Sequence, residues 1–238
     1  MKLSAHDLGF RKLNDIVRNT SEDIIINRCY GERFVGAGAA SKTITINGTP
    51  GNALGAYLNG ATIIVNGNAQ DAVGDTMNDG KIIIKGNVGD VLGYAMRGGK
   101  ILVKGDAGYR TGIHMKEYKD KVPVIVVGGT VGSFLGEYQA GGIIIVLGMN
   151  TEDCPVGDFT GTGMHGGQIF IRSLVEPKYL PPQVCMNLAD EQDVNSIKEH
   201  LDEFSGLFGF SLDDILDRPF YKLTPNAKNP YKQMYTYN

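Results

Sequence analysis

Short runs of apolar, mostly β-branched residues recur along the chain, each bounded by glycine or another turn residue. The runs are Ile44-Thr45-Ile46, Ile63-Ile64-Val65, Ile82-Ile83-Ile84, Ile101-Leu102-Val103, Ile125-Val126-Val127, Ile144-Ile145-Val146 and Ile169-Phe170-Ile171. Such runs between turn residues are typical of β-strands. The pattern therefore predicts seven strands, and a further strand is expected around residues 24–26.

The glycines that bound these runs are evenly spaced. One series falls nineteen residues apart, with a single step of 24: Gly48, Gly67, Gly86, Gly105, Gly129 and Gly148. Others run in phase with it: Gly55, Gly74, Gly93, Gly112 and Gly136, and Gly51, Gly89, Gly108 and Gly132, with Gln70 as the exception. A unit of this length is too short for a β-α-β crossover, which needs about 30 residues. The sequence therefore predicts an all-β fold, a right-handed parallel β-helix (solenoid) of about 19 residues per coil with helical N- and C-terminal segments.

Alternation within each strand assigns an inward and an outward face. The inward filling includes the column Leu58, Met77, Met96, Gln139 and Met164. The outward column reads Thr45, Ile64, Ile83, Leu102, Val126, Ile145 and Phe170. A continuous apolar ridge of this length should not face water. We expect either a terminal helix of the chain or a partner to cover it.

The two ends of the chain differ from the middle. Residues 4–19 predict a helix with a capping box formed by Ser4 and Asp7. Residues 190–204 predict a second helix, and a shorter one follows Ser211. The chain thus divides into an N-terminal helix or cap (1–22), the β-helix domain (23–172) and a C-terminal helical and aromatic tail (173–238). Both ends either cap the solenoid or dock to a partner.

Charge and cysteine content narrow the class of protein. The net charge of −3 with mixed signs argues against a nucleic-acid partner. No segment has the apolar length of a signal peptide or a membrane span, which predicts a cytoplasmic protein without a membrane partner. The spacing of Cys29, Cys154 and Cys185 offers neither a CxxC pair nor an iron–sulfur cluster.

Several short motifs resemble sites of chemistry. Segment 161–166 matches the dinucleotide-binding pattern G-x-G-x-x-G fully, and segment 36–41 matches it except for a final Ser41. Both lead into predicted strands, whereas that motif needs a helix N-terminus. The histidines His6, His114, His165 and His200 lack metal-ligand spacing. Cys154 with His165 is the one conceivable nucleophile–base pair. We expect no catalytic, cofactor-binding or metal-binding residue in this chain.

Two surface features leave alternatives open. Lys81, Lys85, Lys100 and Lys104 form a small basic patch that either binds an anion or an acidic partner surface, or is simply solvated. The insertions at 113–123 and 150–163 are either contact surfaces or solvated loops.

The turn-and-strand pattern of residues 93–103 and 164–169, which reads Gly-Tyr-Ala-Met-Arg-Gly-Gly-Lys-Ile-Leu-Val and Met-His-Gly-Gly-Gln-Ile, resembles the C-terminal domain of the glutamate synthase large subunit. This domain defines the GXGXG family, which also includes the C subunit of formylmethanofuran dehydrogenase. The resemblance covers about residues 23–172. The ending 229–237 is similar to the tail of stand-alone versions associated with glutamate synthase.

The resemblance implies a non-catalytic structural or scaffold subunit of a glutamate synthase-type oxidoreductase complex. Its partners would be the amidotransferase and FMN/iron–sulfur components, with a homo-oligomer also possible and no cofactor in this chain. One alternative is a C-subunit-like component of a formylmethanofuran dehydrogenase or another oxidoreductase. A second alternative is an independent β-helix enzyme that acts on carbohydrate or acyl substrates.

Overall fold

The computed structural model describes residues 1–226 of the chain. Along the chain the elements are β1 (Lys2–Ser4), α1 (Ala5–Asn19), β2 (Ile24–Tyr30), β3 (Thr43–Thr49), β4 (Asn59–Asn66), β5 (Asp79–Ile84), β6 (Lys100–Val103), β7 (Val124–Val127), β8 (Ala140–Val146), β9 (Gly166–Arg172), β10 (Val184–Leu188), α2 (Glu191–Phe208), α3 (Leu212–Leu216) and β11 (Phe220–Pro225). The aromatic ending 229–237 of the predicted tail lies outside the described residues.

The prediction of an all-β right-handed parallel β-helix is wrong. The strands of residues 1–226 form one mixed sheet of eleven strands, in the order β1-β2-β3-β4-β5-β6-β7-β8-β9-β11-β10. Neighbours from β1 to β9 pair in parallel, whereas β11 pairs antiparallel with both β9 and β10. Helices of 15 and 18 residues add to this sheet and supply part of the core.

The predicted solenoid and the observed sheet differ because of how many strands each 19-residue unit forms. The apolar runs pair in register, so that Ile63 lies beside Ile82 and Ile82 beside Ile101. Each unit contributes one strand to this sheet, and the remaining residues fold as turns and isolated bridges. Even spacing therefore predicts the strands of these units and their register. Because each unit supplies one strand, the units form one long sheet, and two antiparallel strands, β11 and β10, complete its far edge.

A column of glycines faces the inner isoleucines of this sheet. Gly93 has a φ of +67°, and a Cβ built there would lie 2.5 Å from Ile125 Cδ1. The equivalent Gly74 has a φ of +70° and the same distance to Ile101 Cδ1. The left-handed backbone and the close approach both exclude a larger side chain. The second in-phase glycine series therefore marks the turn that closes over the buried isoleucines.

Polar side chains link successive turns. The Oδ1 atom of Asn68 accepts a hydrogen bond from the backbone N–H of Asn87, at 2.8 Å. Asn87 Oδ1 in turn accepts from Asp106 N at 2.9 Å, and Asp106 Oδ1 accepts from Thr130 N at 2.7 Å. A Cβ on Gly105 would collide with Asn87 Oδ1. The first glycine series thus leaves room for these side-chain-to-backbone hydrogen bonds.

The helices occur where the sequence predicts them, but the N-terminal cap of α1 differs from the predicted one. The predicted capping box of α1 is wrong, because the Ser4 side chain makes no cap hydrogen bond, and Asp7 instead lies 3.7 Å from Arg28. Helix α2 has a true capping box between Asp190 and Asp193, and the Ser211 side chain caps α3. Among the described residues, no helix has the length and apolar character needed to cross a membrane.

Candidate functional site

Helix α2 covers the outward ridge of the sheet. Leu102, Val126 and Phe170 of the ridge are fully buried, and they share one core cluster with Leu201 and Phe204 of α2. This confirms that a terminal helix covers the ridge, and it identifies that helix as the one predicted at 190–204. Helix α1 packs elsewhere, since its Leu13 and Val17 belong to the other cluster, which lies on the inner face of the sheet.

Helix α2 forms ion pairs with two of the four lysines of the predicted basic patch. Glu203 forms ion pairs with both Lys81 and Lys100, and the Lys100 Nζ–Glu203 Oε2 distance is 2.6 Å. Burial opposes ionisation of Glu203, but hydrogen bonds from the two lysines outweigh it and lower the pKa of the carboxyl. Lys85 and Lys104 are exposed, and Lys104 Nζ lies 6.0 Å from the ring centroid of Phe210. The patch is thus divided between an ion-pair network and two solvated lysines.

A cavity of about 610 Å³ lies between α2 and the sheet, next to these ion pairs. We call it the α2 cavity, and its lining includes Lys81, Lys100, Val122, Val124, Ile143 and His200. His200 is 6% exposed. Burial and the nearby Lys100 charge lower the pKa of His200, so its imidazole is neutral at physiological pH. Periodicity identifies α2, but no sequence signal links His200 to lysines about 100 residues earlier in the chain.

A second surface lies on the turns opposite the sheet. We call it the turn-face cluster, and it consists of Tyr94, Arg110, His114, Phe134, Tyr138 and Phe159. The rings of Phe134 and Phe159 stack with centroids 5.3 Å apart, and the Arg110 guanidinium lies 5.0 Å from the Phe134 centroid. Arg110 Nε also donates to Glu137 Oε2 at 2.9 Å. Phe159 remains 47% exposed in this arrangement.

The other half of the turn-face cluster is built around His114. Its ring stacks on Tyr138 with centroids 5.1 Å apart and meets the edge of Tyr94 at 5.9 Å. His114 and Tyr94 are exposed. The prediction from the sequence missed this cluster, because the same turn positions carry small side chains such as Ala53 and Ala72 in earlier units. The signal that could have found it is the aromatic enrichment of these turns between residues 94 and 159.

The fold does not require aromatic residues at these turn positions. Phe134 has a φ of +63°, and the equivalent positions two to four units earlier carry Val91, Ala72 and Ala53 with φ between +53° and +62°. The same strained backbone therefore accepts small side chains elsewhere. Left-handed backbone at bulky residues is uncommon and is often found at functional surfaces. The aromatic side chains of the turn-face cluster thus add exposed contact area that the turn geometry does not need.

The dinucleotide-like segments are turns. Segment 36–41 lies against the carboxyl end of α1, where Lys42 Nζ donates to Val17 O and Thr20 O, each at 2.5 Å. That end of a helix carries partial negative charge, which disfavours a pyrophosphate. Segment 161–166 leads into β9, and a Cβ on Gly163 would overlap the Tyr138 ring. Both arrangements agree with turn glycines rather than a nucleotide site.

Cys154 and His165 are not brought together as a catalytic pair among the described residues. A cavity of about 260 Å³ next to Cys154 is lined by Asp153, Asp158, Glu176 and Lys178 but not by His165. Burial raises the pKa of the Cys154 thiol, which opposes formation of the nucleophilic thiolate. His165 Nδ1 lies 3.1 Å from Gly163 O instead. Within residues 1–226, no group of three His, Cys, Asp or Glu side chains is arranged to hold a metal ion.

The two insertions are held to the rest of the molecule. In 113–123, Lys121 Nζ pairs with Asp79 Oδ2 at 2.7 Å, and hydrogen bonds from Lys121 and Gly80 lower the pKa of Asp79. In 150–163, Asn150 donates to Asp106 at 2.9 Å, and Glu152 pairs with Arg218 at 2.7 Å. The first insertion also places Val122 in the wall of the α2 cavity. Each insertion is thus anchored to the rest of the molecule by these contacts, while Lys116 to Asp120 of the first insertion are exposed.

Comparison with known families identifies the chain. The GXGXG motif family matches residues 12–226. The chain belongs to the GXGXG family. The predicted family is thereby confirmed, and the match extends beyond the predicted 23–172 at both ends.

This GXGXG protein is 41% identical over 249 residues to an uncharacterized protein of Methanocaldococcus jannaschii, an alignment that covers 98% of this chain and 95% of the relative. Its fold is similar to a chain in the crystal structure of the formyltransferase/hydrolase complex FhcABCD of Methylorubrum extorquens with methylofuran. The TM-score is 0.64 at 24% identity, covering 83% of this chain and 72% of that chain. At this identity the likeness shows a shared fold.

Proposed function

We propose that this GXGXG protein is a non-catalytic structural subunit of a multi-subunit complex of the formylmethanofuran dehydrogenase or formyltransferase/hydrolase type. The similar solved chain belongs to a formyltransferase/hydrolase complex, which favours this assignment over a glutamate synthase-type complex. Under this proposal the redox or formyl-transfer chemistry belongs to partner subunits. This chain supplies a rigid surface on which they assemble.

The observation that carries the proposal is the turn-face cluster. Aromatic residues and arginine are enriched at the centres of protein interfaces, where they contribute most of the binding free energy. Phe159, Tyr94 and His114 are exposed, and Arg110 lies over the neighbouring Phe134 ring. Stacking fixes the side-chain rotamers before any partner binds, so little conformational entropy is lost on association.

The outward ridge does not compete for this role. Its side chains are covered by α2, with Ile145 and Phe170 fully buried. An interface on that face would require α2 to leave the sheet and would expose several large apolar side chains at once. The turn-face cluster is therefore the surface on which we place the partner subunit.

A comparison of purified complexes tests the proposal. The tagged protein is expressed in its own cells, isolated under native conditions, and its stoichiometric partners are identified by mass spectrometry. We expect subunits of a formyltransferase/hydrolase or formylmethanofuran dehydrogenase type with the wild-type protein. The double variant Phe134→Ser/Phe159→Ser should lose them. The matched control Leu174→Ser/Leu188→Ser, which changes two exposed apolar residues elsewhere, should retain them.

Three results would contradict the proposal. Stoichiometric amidotransferase and flavin subunits would support the glutamate synthase-type complex instead. A monomeric protein without partners in its own cells would remove the structural role. Full retention of the partners by the Phe134→Ser/Phe159→Ser variant would move the interface away from the turn-face cluster.

A further inference from the structure

The five turns that carry the turn-face cluster have an excess of negative charge. They are residues 71–76, 90–95, 109–114, 133–138 and 158–163. Together they hold five carboxylates and one guanidinium, which gives a net charge of −4 with histidine neutral. The guanidinium belongs to Arg110, which is already paired with Glu137 at 2.9 Å. Within residues 1–226, no ion pair is formed by the other four carboxylates, those of Asp71, Asp75, Asp90 and Asp158.

Three of these carboxylates occupy the first position of their turns. We call them the acidic row, and they are Asp71, Asp90 and Asp158. The N–H of Asp90 donates to Asp71 Oδ1 at 3.0 Å, so these two residues lie in adjacent units. Asp90 Oδ1 in turn accepts from the N–H of Tyr109 at 2.8 Å, and Asp158 directly precedes Phe159 of the turn-face cluster. The acidic row therefore borders the turn-face cluster on one side.

The fold needs the side-chain oxygens of the acidic row but not their charge. Asn52 occupies the same position one unit before Asp71, and its Oδ1 accepts from the N–H of Asp71 at 3.4 Å. In a second row, Asn68 and Asn87 use their amide oxygens in the same way. An asparagine thus suffices for the hydrogen bond, whereas carboxylates in adjacent units repel each other. A cationic partner would relieve this repulsion.

Cations near the turn-face cluster do not neutralise the acidic row. Arg33 occupies the first position of an earlier turn, two units before the row begins, but its guanidinium lies 5.9 Å from the Phe10 ring centroid. Arg97 and Lys116 follow the cluster residues of their units and lie on the side away from the acidic row. Two of the three aspartates in the row are exposed. The row is therefore open to a cation from a partner.

We propose that the partner segment bound by the turn-face cluster is both basic and apolar. Its arginine or lysine side chains pair with the acidic row, and its apolar side chains pack on Phe134 and Phe159. From Asp71 to Phe159 the surface crosses four unit spacings of about 4.8 Å, a length that about six extended residues span. The inference rests on the proposed function, because it names the chemistry of the partner that this surface binds.

Peptide binding to the full-length protein tests this chemistry without the native partner. The probe is a fluorescein-labelled octapeptide of alternating arginine and leucine, and its two analogues alternate glutamate with leucine and arginine with serine. Fluorescence anisotropy measures their dissociation constants. We expect the arginine–leucine peptide to bind saturably and at least about fivefold more tightly than either analogue. Raising the salt concentration from about 50 to about 300 mM should weaken its binding, because salt screens exposed charges.

Isosteric variants locate the site. Asp71→Asn/Asp90→Asn keeps the side-chain oxygens that the fold uses, and it should weaken binding of the arginine–leucine peptide about fivefold or more. If this double variant fails to fold, Asp158→Asn removes one exposed charge of the row and should weaken binding about twofold. The matched control Asp202→Asn/Asp213→Asn removes two exposed charges from α2 and α3 and should leave binding unchanged.

The outcomes separate this inference from the proposed function. The Phe134→Ser/Phe159→Ser variant should also bind the arginine–leucine peptide more weakly. If it does so while Asp71→Asn/Asp90→Asn binds as tightly as the wild type, the basic partner is overturned and the aromatic interface stands. Unchanged binding by the aromatic variant, equal binding of either analogue, or lack of saturable binding would also overturn the inference. Displacement of the peptide by millimolar calcium at constant ionic strength would overturn it too, since it would assign the row to a metal ion.

Discussion

Lys100 Nζ lies 2.6 Å from Glu203 Oε2, and this ion pair connects strand β6 to the helix α2 that covers it. Lys81 on β5 pairs with the same carboxylate, so one side chain of α2 is held by two adjacent strands. The pair is partly buried, with 19% of Lys100 and 22% of Glu203 exposed. Such pairs often fix orientation more than they add net stability. Here the pair links α2 to the two strands beneath it.

We expect Glu203→Gln to lower the free energy of unfolding by about 1–2 kcal/mol near neutral pH, because two lysines lose their carboxylate. The pKa of Glu203 is lower in the fold than its usual value of 4.5. Its contribution is therefore present above pH 4.5 and is lost as the pH falls through the folded pKa. Urea unfolding from pH 7 to pH 3 measures this loss.

The matched control for Glu203 is Asp202→Asn, which changes an exposed carboxylate in the same helix. It should leave both the stability and its pH dependence nearly unchanged. The acid destabilisation of the Glu203→Gln variant should be smaller than that of the wild type. If the Glu203→Gln variant and the wild type gave identical acid unfolding curves, the ion pairs of Glu203 would not hold α2 in place.

We expect Gly93→Val to destabilise the protein by several kcal/mol. The residue has a φ of +67°, and its Cβ would lie 2.5 Å from Ile125 Cδ1. Strain and overpacking therefore add together, at about 1–3 kcal/mol each. The control Gly206→Ala lies in α2, where a Cβ meets nothing within 4 Å, and should stabilise by about 0.5–1 kcal/mol. Thermal unfolding of both variants checks the prediction, and a neutral Gly93→Val would contradict the packing described here.

Phe204→Ala should uncover the apolar ridge. The side chain is fully buried and lies 4.8 Å from Phe208 and 5.6 Å from Phe210, centroid to centroid. Its truncation should cost about 3–5 kcal/mol and increase binding of a hydrophobic dye. Leu207→Ala, at a position that is 40% exposed, should change neither property appreciably. Unchanged dye binding and stability in Phe204→Ala would mean that α2 does not seal the ridge.

The three thiols should differ in their rate of alkylation by iodoacetamide at pH 7.5. Cys185 is exposed and should react first. Burial, with a hydrogen bond to Glu32 and the charge of that residue, raises the pKa of Cys29 to about 12, so Cys29 should stay unmodified in the native protein. Burial also raises the pKa of Cys154, which should react more slowly than Cys185. Peptide mass spectrometry measures the order in which the three cysteines are alkylated. Alkylation of Cys154 as fast as that of Cys185 would contradict the prediction and support Cys154 as a nucleophile.

Much of the local structure follows from the sequence. Apolar runs such as Ile82 to Ile84 predicted the strands because short β-branched runs between turn residues are typical of strands, and their even spacing predicted which residues pair. Gly93 was predicted at a turn because glycine tolerates left-handed backbone. The helices α1 and α2 were visible in their 3.6-residue periodicity. The GXGXG family was recognised because its pattern extends over many units.

The fold class and the candidate sites depended on contacts between distant residues. The spacing of the units determines neither the single mixed sheet nor its antiparallel end at β11 and β10, which require hydrogen bonds such as those that pair Phe220 with Arg172. Ser4 matched a capping box, but the chain placed Asp7 next to Arg28.

What the sequence by itself determined is strands β2 to β9, the turn glycines, the two long helices and the family, since each depends on neighbours or on regular spacing. Only the tertiary structure decided that α2 rather than α1 covers the ridge, since both helices are amphipathic and either could bury that face. It also brought Glu203 to lysines more than 100 residues away and placed Phe134 against Phe159. Such long-range contacts form because packing removes apolar surface from water and pairs buried charges, and neither effect leaves a periodic trace in the sequence.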